Sequence, residues 1–276
     1  MMRILCCVNR DLASNLALNL LLPDLQGHEV RVALTERVGA VIPGEPPQRR
    51  ELRTAEQVLP NEIFFPLLDQ LPAPGSGDRY LTFAQLQSRY GIRVEALPDP
   101  NREPGLASIR DYAPDLILSI RFGAIFKAPL LGIPKYGVLN LHSGLLPHYR
   151  GVLATFRALM NGDTEIGCTL HYIDDPTIDT GDIVSVSRLR VQPERSLLWH
   201  ILALYPEGIG MMRRALARLG QDDEMRLRTQ RQGREQGAYY SYPSAQEWAE
   251  FTRRGWRIAD PSDIEQAFSR YLPSAR

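Results

Sequence analysis

The chain of 276 residues balances 32 Lys plus Arg against 32 Asp plus Glu, and 44% of its residues are hydrophobic. Zero net charge argues against a protein built to hold nucleic acid or an anionic membrane, where phosphate neutralisation calls for a basic surplus. The sequence has no run of about 18 apolar residues to span a bilayer and no ordered signal peptide at its start, so a soluble cytoplasmic protein is expected.

Met2 to Asn9 is a short apolar run that reads as a strand, and Asp11 then caps a helix through Leu12, Leu16, Leu18 and Leu20. Val30 to Leu34 reads as a second strand. From Gly44 to Gly77 the sequence turns rich in Pro and Gly, which predicts an irregular excursion with one helix inside it. Helical spacing returns at Leu81 to Tyr90, followed by a strand from Arg93 to Leu97, a helix from Leu106 to Tyr112 and a fully apolar strand from Asp115 to Ile120. Gly137 to Leu141 is a further strand, with a loop and a helix from about Leu153 to Met160 after it. Cys168 to Ile173 and Asp182 to Val191 alternate with period two, as two strands joined through Asp174 to Asp182. One helix is expected over Leu197 to Leu219. Residues 213–235 hold seven arginines against four acids, read first as a solvated helix end and loop. The last forty residues read as a small appendage of strand and helix anchored by Trp248, Phe251 and Trp256.

Strands alternating with helices at this spacing give an α/β fold class: a Rossmann-like, mostly parallel sheet flanked by helices, with a small C-terminal α+β appendage. Residues 1–190 are expected to form the core and residues 191–276 the C-terminal helix and appendage. The first turn, V-N-R-D-L-A-S-N, lacks the G-x-G-x-x-G that dinucleotide binding needs, so NAD and FAD are disfavoured. Cys6, Cys7 and Cys168 form no disulfide framework and read as buried packing residues. His28 and His200 read as structural, and no histidine pair has the i, i+4 spacing of a helical zinc site, so no metal is expected.

Asn140, His142, Ser143, His148, Tyr149 and Arg150 crowd the end of a predicted core strand, where open α/β sheets bind their ligands. The carboxylates Asp174, Asp175, Asp179 and Asp182 bracket the later turn. An imidazole, a carboxamide and a carboxylate in one cleft supply a proton shuttle, a donor for a developing oxyanion and a group that polarises the shuttle.

The run N-L-H-S-G-L-L-P-H-Y-R-G (140–151), with N-G-D (161–163), G-C-T-L-H (167–171) and I-D-T-G-D-I-V (178–184) in order behind it, resembles the folate-dependent formyltransferase family. The resemblance extends over about residues 114–190. It implies a catalytic set of Asn140, His142 and Asp179, with Asp175 the alternative carboxylate because the acidic loop is one residue longer than in the purine-pathway members. It implies 10-formyltetrahydrofolate as donor co-substrate and an amine as acceptor. The segment 121–127 corresponds to the family's pterin wall, which makes Phe122, Gly123, Ala124, Ile125 and Phe126, with Asp174 and Asp175 opposite, the folate-binding candidates. Core packing is the competing reading for Phe122, Ile125 and Phe126.

Arg10 and Tyr149 are the candidates for acceptor contacts. Asn9-Arg10-Asp11-Leu12 replaces the glycine-rich phosphate loop of the glycinamide ribonucleotide enzymes, and the tail is shorter than the barrel with which the methionyl-tRNA enzymes grip their substrate. The expected acceptor is therefore a small molecule, either a nucleotide-linked amino sugar or an amine or hydroxylamine derived from an amino acid. No nucleic-acid or membrane partner is expected, and the tail Gln236 to Arg257 reads first as packing of the appendage, with part of the acceptor pocket or a homodimer surface as the sharper readings. The alternatives are a methionyl-tRNA formyltransferase-like enzyme, a formyltetrahydrofolate hydrolase and a non-catalytic folate binder.

Overall fold

The computed structural model describes residues 1–38, 40–71, 79–219, 226–233 and 236–272. Strands β1 (Arg3–Asn9), β2 (Glu29–Thr35), β3 (Arg93–Ala96), β4 (Leu116–Ile120), β5 (Val138–His142), β7 (Glu165–Tyr172) and β8 (Ile183–Arg190) make one sheet in the order β3-β2-β1-β4-β5-β7-β8. The first five are parallel; β7 and β8 run antiparallel, a hairpin edge on a Rossmann-like sheet. A separate pair joins β6 (Tyr149–Gly151) to β9 (Ala238–Tyr240).

Strand alternation explains why both faces are covered. Ile4, Cys6 and Val8 of β1 enter one core with α1 (Leu12–Leu21), while Leu5 and Cys7 enter a second core on the opposite face. The three cysteines are packing residues, and burial pushes the Cys6 and Cys168 thiols up to about 12. Asp11 caps α1 by accepting the Ser14 N–H at 2.7 Å.

Three stretches depart from expectation. The excursion after Gly44 is mostly helical: α2 (Pro47–Arg53), a π-helical stretch (Thr54–Phe64) and α3 (Phe65–Asp69) follow one another without a break. Pro60 lies inside and has no N–H to give, and the wider π turn accommodates it. Residues 72–78 of that excursion lie outside the described residues. Next come α4 (Phe83–Tyr90), α5 (Gly105–Tyr112), α6 (Ala128–Leu131) and α7 (Ala154–Asn161). The single helix expected over 197–219 is two, α8 (Leu197–Ala203) and α9 (Tyr205–Arg218), because Pro206 starts a new first turn. The tail carries two helices, α10 (Ala245–Arg253) and α11 (Pro261–Ser269).

The tail shares the main core. Trp248 and Phe251 are fully buried and each ring sits 4.6 Å from that of Phe156 on α7. His200 is a structural staple, with Nδ1 2.7 Å from the Ser196 carbonyl and Nε2 accepting the Gln192 N–H. In the arginine-rich stretch, Arg213 pairs with Asp24 and Arg226 with Asp174; residues 220–225 and 234–235 lie outside the described residues. Among the described residues no helix is long and apolar enough to cross a membrane.

Candidate active site

β5 ends the parallel part of the sheet, and its period of two turns Asn140 and His142 to the same side. His171 on β7 lies directly across from Asn140 in the antiparallel register. The loop after β7 then brings in Asp179, whose backbone takes the left-handed conformation at φ +55°. A β-carbon on the nearby Gly181 would stand 1.8 Å from the Tyr172 carbonyl oxygen, so only glycine lets this loop lie against the strand.

These side chains meet. His142 Nδ1 is 3.4 Å from Asp179 Oδ2, and its Nε2 is 2.6 Å from the Tyr149 carbonyl oxygen. Both neighbours are acceptors, so whichever ring nitrogen carries a proton faces one. Asn140 Nδ2 lies 3.5 Å from Asp179 Oδ1 and 3.0 Å from His171 Nε2, while His171 Nδ1 is 2.8 Å from the Tyr172 carbonyl oxygen. Gly151 donates its N–H to Asp179 Oδ2 at 2.9 Å. Burial alone pushes the Asp179 carboxyl up, but the charge of His142, the bond to His171 and the Gly151 N–H outweigh it and hold the group at about 2. A buried carboxylate is thereby kept ionised beside an imidazole.

Asn140, His142, Asp175 and Asp179 line one cavity of about 270 Å³. Asp179 is the carboxylate against His142; Asp175 instead accepts the Thr177 N–H at 2.7 Å. The segment 122–126 forms one wall. Phe122 and Phe126 are buried and stacked on each other at 5.4 Å, so their rings serve the core as well as the lining, whereas Ile125 is 47% exposed. Asn101 holds this wall in place, donating to the Ile125 carbonyl and accepting the Lys127 N–H. Facing it, Ile178 is 36% exposed. A flat ring fits between such apolar edges with backbone groups at its rim.

Three expected site residues stand elsewhere. Asp174 is outside the lining, held bidentately by Arg226 at 2.6 and 2.8 Å. Arg10 turns away toward Glu36 at 3.4 Å, because its neighbour Asp11 is committed to capping α1. Tyr149 is buried outside the lining, its hydroxyl donating to Asp163 at 2.5 Å, and contributes only its carbonyl to His142.

Sequence reasoning missed part of this lining. Arg49, Arg53 and Glu56, all from the helix that begins at Pro47, line the cavity together with Arg121. Tyr239 and Tyr242 line it too, from the tail for which part of an acceptor pocket is one of the expected readings. Arg121 bridges Asp11 at 2.9 Å and Glu56 at 3.0 Å. Among the described residues no group of three or more His, Cys, Asp or Glu is placed to hold a metal ion.

Residues 97–198 match the family model described as Formyl transferase. Over this segment the chain is similar to the formyl transferase family. The curated methionyl-tRNA formyltransferase of Halothermothrix orenii is 36% identical over 110 residues, covering 40% of this chain and 34% of the relative. The first curated relatives are thus matched over less than half of their own length, from 30% to 48%. In fold, the chain is similar to a sugar N-formyltransferase from Shewanella sp FDAARGOS_354, with TM-score 0.53 and 17% identity over 99% of this chain and 88% of that one. An N-formyltransferase from Helicobacter canadensis, solved with folinic acid and dTDP-3-aminofucose, gives TM-score 0.53 and 16% identity over 87% of this chain and 71% of that one.

Proposed function

We propose that this chain is a cytoplasmic enzyme that transfers the formyl group of 10-formyltetrahydrofolate to the nitrogen of a small-molecule amine. The observation that carries the reading is the meeting of Asn140, His142 and Asp179 in one cavity, inside the segment that matches the formyl transferase family. The donor supplies an electrophilic formyl carbon and departs as an amine. Asn140 is the neutral donor available to the carbonyl oxygen as it gains charge. His142 carries a proton toward the same centre, and Asp179 holds that proton on the ring and passes the amine proton on, so that the forming and breaking C–N bonds balance. The exposed faces of Ile125 and Ile178 are suited to a pterin, with the backbone of Gly123 and Ala124 and the Asp175 loop at its edge. Residues 1–190 form the catalytic body in this reading, and residues 191–276 support it.

The acceptor is taken to be an amino sugar nucleotide or an amine derived from an amino acid. Methionyl-tRNA has the names of the curated relatives in its favour. Release of tetrahydrofolate from 10-formyltetrahydrofolate, followed with and without a panel of amines and methionyl-tRNA, tests the reading. Release that depends on a small amine supports it. Release without an acceptor indicates a hydrolase, and dependence on methionyl-tRNA alone indicates the tRNA enzyme.

A further inference from the structure

The lining of the cavity that holds Asn140, His142 and Asp179 also has two charged poles. At one, Glu45 sits behind the lining and is shared by two arginines: Arg49 Nη1 reaches it at 2.5 Å and Arg53 Nη2 at 2.9 Å. Two cations on one carboxylate leave one unit of positive charge facing the cavity. Arg49 is 5% exposed, the Tyr242 ring lies 5.0 Å from its guanidinium, and its Nε has no hydrogen-bond partner. Arg49 Nη2 donates to the Ala40 carbonyl at 2.7 Å, so Nε is the nitrogen open to an acceptor from outside the protein, water or ligand.

At the other pole the balance reverses. Arg121 is shared by two carboxylates, Asp11 at 2.9 Å and Glu56 at 3.0 Å, which leaves one unit of negative charge when both are ionised. Glu56 is the member of that trio at which the charge can meet a ligand, because it lines the cavity while Asp11 is fully buried beneath Arg121. Arg49, Arg53 and Glu56 are spaced i, i+4 and i+7 along one helical run, so both poles fall on the same face.

Three arginines against three acids sum to zero. A nucleotide diphosphate carries about two negative charges and would find no surplus to meet them, and Asp175 in the lining adds repulsion. A zwitterion finds its complement. We propose that the acceptor is an α-amino acid with a second, nucleophilic nitrogen on its side chain: Arg49 and Arg53 take the α-carboxylate, Glu56 takes the α-ammonium, and the side-chain nitrogen is presented to His142 and Asp179. This rests on the formyl-transfer reading above. In the step it implies, the side-chain nitrogen gains a bond to the formyl carbon and loses a proton, while the formyl carbon's bond to the tetrahydrofolate nitrogen breaks and that nitrogen takes up a proton.

Calorimetric titration tests it with L-ornithine and L-lysine, their methyl esters, their Nα-acetyl derivatives and a dTDP-linked amino sugar, each without folate. A separate titration with 5-formyltetrahydrofolate tests the donor site, so failure of the acceptor class and failure of formyl transfer are told apart. The expected result is that a free diamino acid binds at least tenfold more tightly than its ester or its Nα-acetyl derivative. Glu56→Gln should erase the preference over the Nα-acetyl compound and keep that over the ester; Arg53→Gln should do the reverse. Equal binding of acid, ester and Nα-acetyl forms by the unmodified protein, no binding of any, or a preference for the amino sugar nucleotide overturns the proposal, and none of these comparisons depends on a variant folding.

Discussion

Gly151 donates its backbone N–H to Asp179 Oδ2 at 2.9 Å, and through that bond the loop after β5 and the loop after β7 share one carboxylate. The same oxygen is the one nearest His142. At this oxygen of the proposed proton relay the backbone donor and the imidazole meet, while His171 and Asn140 stand at the other oxygen. Asp179→Asn keeps the shape and removes the charge; turnover should fall by about 10²–10³ or more, the range seen when a group that stabilises the transition state is lost. Asn140→Ala should fall in the same range. Steady-state release of tetrahydrofolate measures both, and a variant within tenfold of the parent would remove its residue from the chemistry.

The low Asp179 value also has a sign for stability. A carboxyl held at about 2 when folded and near 3.8 when unfolded stabilises the fold fully above about pH 4, and that contribution is lost as pH falls through 2. The shift corresponds to about 2 kcal/mol. Urea unfolding between pH 2 and 5 should therefore show a steeper acid loss for the parent than for Asp179→Asn, whose curve lacks this component. Parallel curves would mean that the carboxylate is not held as the hydrogen bonds indicate.

Glu56 titrates the other way. Burial pushes its carboxyl up to about 7, against the pull of Arg121, because Asp11 already supplies that guanidinium with a negative partner. Being raised in the fold, it favours stability below its unfolded value near 4.5 and forfeits that as pH rises through 7. Ligand binding runs opposite: only the ionised form attracts an ammonium group. KM for a diamino acid acceptor should thus fall as pH rises from 6 to 8, and Glu56→Gln should flatten the dependence. An unchanged KM profile in the variant would assign the titration to another group.

How much of this was legible follows from signal length. Asn140 and His142 lie two apart at the end of an apolar strand, and the acidic loop follows at a short distance, so the residues that meet in the cavity were legible in the sequence. Arg49, Arg53 and Glu56 were not, because the Pro- and Gly-rich surroundings and Pro60 leave the one helix expected there without bounds or a face. β6 and β9 have three residues each, too few to show a period, and their pairing joins positions nearly ninety residues apart. Arg10 was misread for a physical reason: position after β1 suggests the cleft, but the Asp11 cap turns the chain and sends Arg10 to Glu36.

The β6–β9 pair gives the tail a role that can be measured. Gly151 has φ +97°, and a β-carbon there would stand 2.2 Å from the Tyr240 carbonyl oxygen. Gly151→Ala must therefore shift either the loop that gives its N–H to Asp179 or the tail strand beside it, since neither backbone can yield as a side chain would. Loss of about 1–3 kcal/mol in unfolding free energy is expected from strain of this kind. If β9 serves only to cover the core, activity per folded molecule should be retained at temperatures well below the new Tm. If instead the pair positions the loop at Asp179, kcat should drop at least tenfold while binding of 5-formyltetrahydrofolate, for which the proposed wall at 122–126 lies on a different loop, changes little. The second outcome is the expected one, because the displaced N–H is the backbone donor that orients Asp179 toward His142.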